Sequence, residues 1–487
     1  MATSALSARP QRPLRFKLFA YTFHSMPAQI QAATSRRPEL ARDLGVSHAG
    51  AIVVGTIIGS GIFLVPAEMM QAVGSAKLVY LAWLVGGLLS FFGALTYAEL
   101  GSMKPQAGGE YVYVRDGYGP LAGFLYAWTW FVIAKPASIA TVTIGLVRIL
   151  GTFPVFAFFS NHVVNWPFAV SYGQLVAIAA TLLISLLNYL GVKKAGEFQL
   201  VFTMLKVAII LGIVVIGFSY RGGSWSHFAG NYAAAKGGLA GFMAALVAAL
   251  WAYDGWNDLN MVAGEIRQPE RNIPIALIAG VATVGALYML VNAAVQFVLP
   301  ASAIAASPRP ASDAIGLVWG TLGASAVSAA MAISMLVTLN GTVMSGARVP
   351  FAVARDRYFF SALAEVHPSF HTPSVAVAVQ AALAILLLLL GGNFRQLFSL
   401  AIFAEWLFYM IAGSTVFIFR RRDPQAARPY RVWGYPVVPA LFVLSSALLL
   451  YYTFTDNLLN SALGCLVILA GIPVFYVFAR RRSRENR

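Results

Sequence analysis

A chain of 487 residues has the length of about three soluble domains, but 59% of it is hydrophobic and only 11% charged, where a soluble protein carries about 25% charged residues. With a mean hydropathy of +0.73, it has too little charge to coat several water-soluble surfaces. The net charge of +16 does not imply nucleic acid either, because the basic residues sit between apolar runs, mostly in alternate loops, as in a polytopic membrane protein.

In chain order, the first 38 residues lack Asp and Glu but hold several Arg, Ser and Thr. That composition is shared by organellar transit peptides. The simpler readings are a disordered basic tail over 1–42, or an upstream start with Met26 as the first residue of the protein. A domain of apolar runs over 43–480 follows, then a short basic tail, 481–487. Within it, apolar runs long enough to cross a ~30 Å hydrocarbon core as helices predict twelve spans. They are 47–71, 78–102, 120–149, 171–191, 197–219, 238–263, 274–299, 323–346, 374–391, 397–419, 435–454 and 458–479. With the amino terminus inside, the inner segments hold 26 Lys and Arg and the outer ones 6, which places both termini in the cytoplasm. The single cysteine, Cys465, lies in the last run, so no intramolecular disulfide is possible.

Two spans are interrupted. The first reads Gly55-Thr56-Ile57-Ile58-Gly59-Ser60-Gly61-Ile62-Phe63, and the sixth Trp251-Ala252-Tyr253-Asp254-Gly255-Trp256. Five spans apart, they hold equivalent places in a 5+5 inverted repeat (47–219 and 238–419, with extra helices over 435–479), and paired broken helices point to a transporter's midplane site. Unwinding in lipid is costly unless the freed backbone binds something. Free N–H groups at a half-helix amino terminus favour a carboxylate and free carbonyls an ammonium; an amino acid supplies both. Gly55 alone reads as helix packing, in a small-xxx-small pair with Gly59.

Val54-Gly55-Thr56-Ile57-Ile58-Gly59-Ser60-Gly61-Ile62-Phe63 resembles the first-helix signature of the amino acid–polyamine–organocation superfamily. Gly93–Gly101 with Gly108-Gly109-Glu110-Tyr111, Tyr253–Asn257 with Gly264-Glu265-Ile266 and Pro269–Pro274, and Leu339-Asn340-Gly341 leading to Ala354-Arg355-Asp356 narrow the resemblance to the L-type amino acid transporter-like branch. The resemblance implies an all-α membrane fold of twelve helices, with helices 1 and 6 broken. It puts the substrate carboxylate on the N–H groups of Ser60 and Gly61, beside Gly59 and Gly255. The amine would meet carbonyls of Ile57, Trp251 and Asp254, with Trp251 as an aromatic gate. Members that pair with a glycoprotein heavy chain use a cysteine between the third and fourth spans. The loop around 150–170 has none, which implies a stand-alone carrier without a disulfide-linked heavy chain.

Lys135, Lys206, Asp254 and Glu405 lie inside apolar spans, where a charge costs at least ~2.5–3.5 kcal/mol and marks a functional candidate. The resemblance places Lys206 where sodium-coupled relatives hold sodium, bonding first-span carbonyls and groups near Thr342 and Ser345. Snorkelling is the plainer alternative. Glu405 aligns with a substrate-contacting position and either faces the side-chain pocket, takes up a proton or neutralises Lys135; Asp254 is a pocket residue or simply a turn residue. Lys135 has no assigned role. Glu99, Glu110, Glu265, Arg267, Arg271, Arg355 and Asp356 read as inside-gate salt bridges or solvated charges, and His367…His371 as loop, since Pro368 opposes a helix. A side chain at Gly61 would intrude on the substrate.

These features predict a secondary amino acid transporter of the cytoplasmic membrane, working by alternating access without sodium or cofactor. Neutral substrates are favoured, because Asp254 offers its carbonyl and Glu405 has two lysines as candidate partners; cationic substrates or proton symport are the alternatives. An embedded enzyme lacks a nucleophile–base set, ATP-driven transport lacks a G-x-x-x-x-G-K-[ST] loop, and an amino acid sensor would carry a signalling domain.

Overall fold

The computed structural model describes residues 39–164, 169–390, 394–456 and 458–485. The expectations for the amino-terminal tail lie outside the described residues, apart from its last four positions. Apolar runs become helices because lipid leaves the backbone no other partner for its N–H and C=O groups. α1 (Val46–Ile57) and α2 (Gly61–Val73) are the halves of the first predicted span. α3 (Ala76–Met103), α4 (Glu110–Tyr118) and α5 (Pro120–Leu150, with a π-helical turn at Trp130–Ala134) follow. A hairpin of β1 (His162–Val164) and β2 (Val170–Ser171) precedes α6 (Tyr172–Tyr189). Ser171 and Gln174 close a capping box on α6, satisfying amides that the helix start would otherwise leave free.

After α7 (Val192–Phe218), the sixth predicted span resolves into α8 (Gly238–Ala252) and a single turn, α9 (Asp258–Met261). At 1.5 Å per residue, the 15 residues of α8 reach about 22 Å, short of a full crossing of ~30 Å. Then come α10 (Pro269–Val298), α11 (Ala301–Ala306), α12 (Pro310–Gly346), α13 (Arg348–Arg355), α14 (Ser374–Leu389), α15 (Phe394–Arg422), α16 (Val437–Asp456) and α17 (Leu458–Glu485). Among the described residues, nine helical spans are long and apolar enough to cross a membrane, and α8 and α14 are shorter apolar helices.

The largest difference from the predicted boundaries is α12, which starts at Pro310 rather than near 323 and bends at Gly320, where φ is +67°. A residue without a Cβ makes that backbone accessible. The polar residues Ser312 and Asp313 hide the first segment from a hydropathy reading. α7 and α10 likewise begin five residues before their apolar runs, in charged first turns. Leu182, Leu183 and Leu186 of α6, Val201, Met204 and Val215 of α7, and Leu444 and Leu448 of α16 are exposed on the periphery. Polar side chains turn inward: Asn188, Gln199, Lys206 and Asn340 are buried. This arrangement suits a lipid-facing bundle.

Candidate functional site

The two helix breaks face one another. In the first, Ile58 leaves the helix (ψ 84°), and the Gly59 N–H turns back onto the Ile57 carbonyl at 2.7 Å. Ser60 then starts α2 without a side-chain cap, so the first amides of α2 have no intrahelical acceptor. In the second, Gly255 has φ +103°, and a Cβ there would come within 2.9 Å of Thr56 Cγ2. Gly255 is thus fixed both by its backbone conformation and by the approach of α1. A Cβ at Gly61 would lie 2.9 Å from Ala252 Cβ and 3.0 Å from its Cα. Its missing side chain therefore also admits α8.

Between the breaks lies a cavity of about 100 Å³, lined by Ile57, Gly59, Ser60, Gly61, Trp251, Asp254, Gly255 and Glu405. All eight were singled out from sequence as substrate contacts. Lys135, Ser138, Thr338 and Thr342 complete much of the remaining wall. Tyr288 of α10, which sequence reasoning missed, places its hydroxyl 3.1 Å from the Ile57 carbonyl and 2.9 Å from that of Ala252. One buried hydroxyl therefore touches the carboxyl ends of both half-helices. The Ile57 carbonyl, which the resemblance offers to an amine, also accepts the Gly59 N–H and lies within reach of the Tyr288 hydroxyl, whose one proton is shared with the Ala252 carbonyl. The Trp251 carbonyl accepts the Asp254 N–H at 3.1 Å.

Lys206 is buried and does not snorkel. Its ammonium bonds the Gly55 carbonyl at 2.8 Å and the Ile58 carbonyl at 2.5 Å, and Thr338 Oγ1 lies at 3.5 Å. Ser334 adds a second donor to Ile58 at 2.9 Å. The expected α12 partners were Thr342 and Ser345, and here the structure corrects the register. Thr342 bonds the Thr338 carbonyl and Ser345 the Thr342 carbonyl, both within their own helix. The freed carbonyls of α1 lie one to two turns earlier along α12, beside Ser334 and Thr338.

Lys135 pairs with Asp258 at 2.6 Å, and both side chains are almost fully buried. Its ammonium also lies 5.1 Å from the centre of the Trp130 ring. Of the three alternatives for Glu405, the direct pairing with Lys135 is not made; the ion-pair partner of Lys135 is Asp258, which lies inside the same apolar run as Asp254 and was legible by the same criterion. Glu405 accepts from Ser138 Oγ at 3.2 Å. Asp254 uses its carboxylate, accepting from Tyr409 at 2.9 Å.

The ends of the elements beyond the breaks are tied by ion pairs. Arg348 forks onto both oxygens of Glu265 at 2.8 and 2.9 Å, with neither side chain exposed. Glu99 takes Arg420 at 2.7 Å through each oxygen, with Arg428 at 3.4 Å. Arg115 and Tyr111 hold Asp356, and Arg267 reaches Asp43 at 3.6 Å in an exposed pair. Arg355 instead lies over the Phe351 ring. Glu110 is fully buried against Asn257 and Tyr126, so neither a salt bridge nor solvation describes it. His367 stacks on Phe370 in a loop, and no metal-holding group of His, Cys, Asp or Glu occurs among the described residues.

Residues 44–478 match the family model described as amino acid permease. The chain is 34% identical over 447 residues to the serine/threonine exchanger SteT of Bacillus subtilis, covering 91% of this chain and 98% of that protein. It is 31% identical to the human b(0,+)-type amino acid transporter 1, covering 92% and 90%. Against the mouse Asc-type amino acid transporter 1 the identity is 28%, with 93% and 84% covered.

Proposed function

The chain belongs to the amino acid permease family, a family of membrane transporters and not of enzymes, and from that premise we propose that it moves amino acids across the cytoplasmic membrane by alternating access, independently of sodium. The observation carrying this reading is the cavity between the two breaks, where amides opening α2 meet the turn that follows α8. A substrate carboxylate sits on the amides of Ser60 and Gly61, favoured by the helix amino terminus. The ammonium lies toward Trp251, Asp254 and Gly255 on the second break.

The proposed topology has twelve crossings: α1–α2, α3, α5, α6, α7, α8–α9, α10, α12, α14, α15, α16 and α17. Breaks in the first and sixth crossings support an inverted repeat of five plus five. The bias of 26 basic residues against 6 supports cytoplasmic termini. Cys465, partly buried in α17 and free, is not placed like a heavy-chain partner, so the carrier works alone.

Neutral amino acids are the leading substrates, supported by the serine/threonine exchanger among the relatives. Cationic amino acids are the second reading, favoured by Glu405. Lys135 is paired with Asp258 and Lys206 with α1 carbonyls, so neither lysine forms a direct ion pair with Glu405.

Counterflow in proteoliposomes loaded with each of the twenty amino acids tests the proposal. Loaded substrates should drive uptake of the same labelled amino acid, and their methyl esters, which lack the carboxylate, should not compete. Equal competition by ester and acid would remove the carboxylate site on α2.

A further inference from the structure

Glu110 is a carboxyl group with no exposed surface, and no cation lies within ion-pair distance of it among the described residues. Such a group is costly to retain, and it does not line the cavity. Its surroundings are built around the second break. Gly108 and Gly109 take φ of +101° and +47°, and that turn presses on α9. The Gly108 N–H bonds the Met261 carbonyl at 2.9 Å, and a Cβ on Gly109 would lie 2.8 Å from the Asn260 carbonyl carbon. Glu110 therefore enters the structure as the first residue of α4, where the helix dipole favours an acid, directly beneath the break.

From there a hydrogen-bonded chain leads to the cavity. Asn257 Nδ2 donates to Glu110 Oε1 at 2.6 Å, and Tyr126 reaches Glu110 Oε2 at 3.4 Å. On the other side of the amide, the Tyr409 hydroxyl lies 3.0 Å from Asn257 Oδ1 and 2.9 Å from Asp254 Oδ1. Glu110 Oε1 accepts from the amide nitrogen, so Glu110 dictates which end of the Asn257 amide faces it and which faces Tyr409. With the amide oxygen turned to Tyr409, the single hydroxyl proton is shared between Asn257 Oδ1 and Asp254 Oδ1, and the two acceptors together fix where the Tyr409 oxygen sits beside Asp254. Asp254 is the member of the chain that lines the cavity.

We propose that Glu110 is a positioning residue for substrate: through Asn257 and Tyr409 it holds the Asp254 carboxylate in place on the cavity wall. The proposal rests on the cavity being the substrate site. Its consequence is that a residue out of reach of the substrate sets substrate affinity, while a purely structural role for Glu110 would change only the amount of working protein.

The test uses full-length protein in proteoliposomes with Glu110→Ala, Glu110→Gln, Tyr409→Phe and the Glu110→Ala/Tyr409→Phe double variant. Glu110→Ala should raise KM about tenfold, the scale of one lost buried hydrogen bond, with Vmax per reconstituted molecule within about twofold. Glu110→Gln, whose amide oxygen still accepts from Asn257, should recover most of the affinity. Once Tyr409→Phe has cut the chain and raised KM itself, Glu110→Ala should add nothing. A loss confined to Vmax, or a Glu110→Ala effect that persists in full beside Tyr409→Phe, overturns the proposal. If Glu110→Ala does not fold, an unchanged KM in Tyr409→Phe overturns it alone. Methyl-ester competition in the unmodified protein is read separately, so failure of the substrate site is distinguishable from failure of the chain.

Discussion

Charge inside the bundle is handled residue by residue. Lys206 is satisfied by carbonyls and Lys135 by Asp258, while the cavity keeps Glu405 with a neutral partner, Ser138. That contrast makes Glu405 the residue on which side-chain selectivity turns. In competition among labelled alanine, leucine and arginine, the neutral pair should win, and Glu405→Gln should leave their uptake within about twofold, as expected where no charge pair to substrate is lost. Arginine outcompeting both, with Glu405→Gln removing its advantage, would make Glu405 the counter-charge of a cationic substrate. The glycines and Asp254 at the breaks were legible because lipid tolerates unwound backbone only where it lines a cavity or is buried in protein. Asp258 was equally legible. Tyr288, Ser334, Thr338 and Tyr409 were not, since hydroxyls are ordinary in transmembrane helices and only the fold shows which carbonyl or carboxylate each one reaches.

At the scale of elements, the half-helix α9 is bound on several sides. The α3–α4 turn holds its backbone, and the segment after it bonds Leu44 through Glu265 and Arg267 at 3.0 and 2.8 Å. The Glu265–Arg348 fork joins it to the start of α13. Removing one partner of a buried ion pair costs about 3–5 kcal/mol because the other charge is stranded. Arg348→Ala should therefore lower the melting temperature and, in a Cys465→Ser background, speed thiol labelling of a cysteine placed at the buried Val262. An apolar pair, Glu265→Leu with Arg348→Met, should regain part of the melting temperature. Unchanged melting and labelling in Arg348→Ala would show that the fork does not hold this end. Apart from the start of α12, the long apolar helices could be read from sequence to within about six residues at each end. α4 and α13 could not, being short, charged and stabilised by contacts that form only on folding, and the bend at Gly320 left no trace in hydropathy.

For the molecule as a whole, the two breaks and their supports make one device. Lys206 ties α7 to the first break and to α12, where the resemblance assigns a cation to sodium-coupled proteins, and Tyr288 ties α10 to both breaks. On the proposed reading, the Lys206 ammonium takes the place of sodium in assembling the site. Loss of that ammonium leaves the Gly55 and Ile58 carbonyls to Ser334 and Thr338 alone, at the cost of charge-assisted hydrogen bonds worth about 1.5–3 kcal/mol each. The measurement that tests this most directly is counterflow of a transported amino acid in proteoliposomes, in sodium and in choline medium, for the unmodified protein and Lys206→Ala. Uptake by the unmodified protein should be equal in the two media, and Lys206→Ala should lose most of its turnover in both. Collapse of the unmodified protein's uptake in choline, or full activity of Lys206→Ala, would contradict the account.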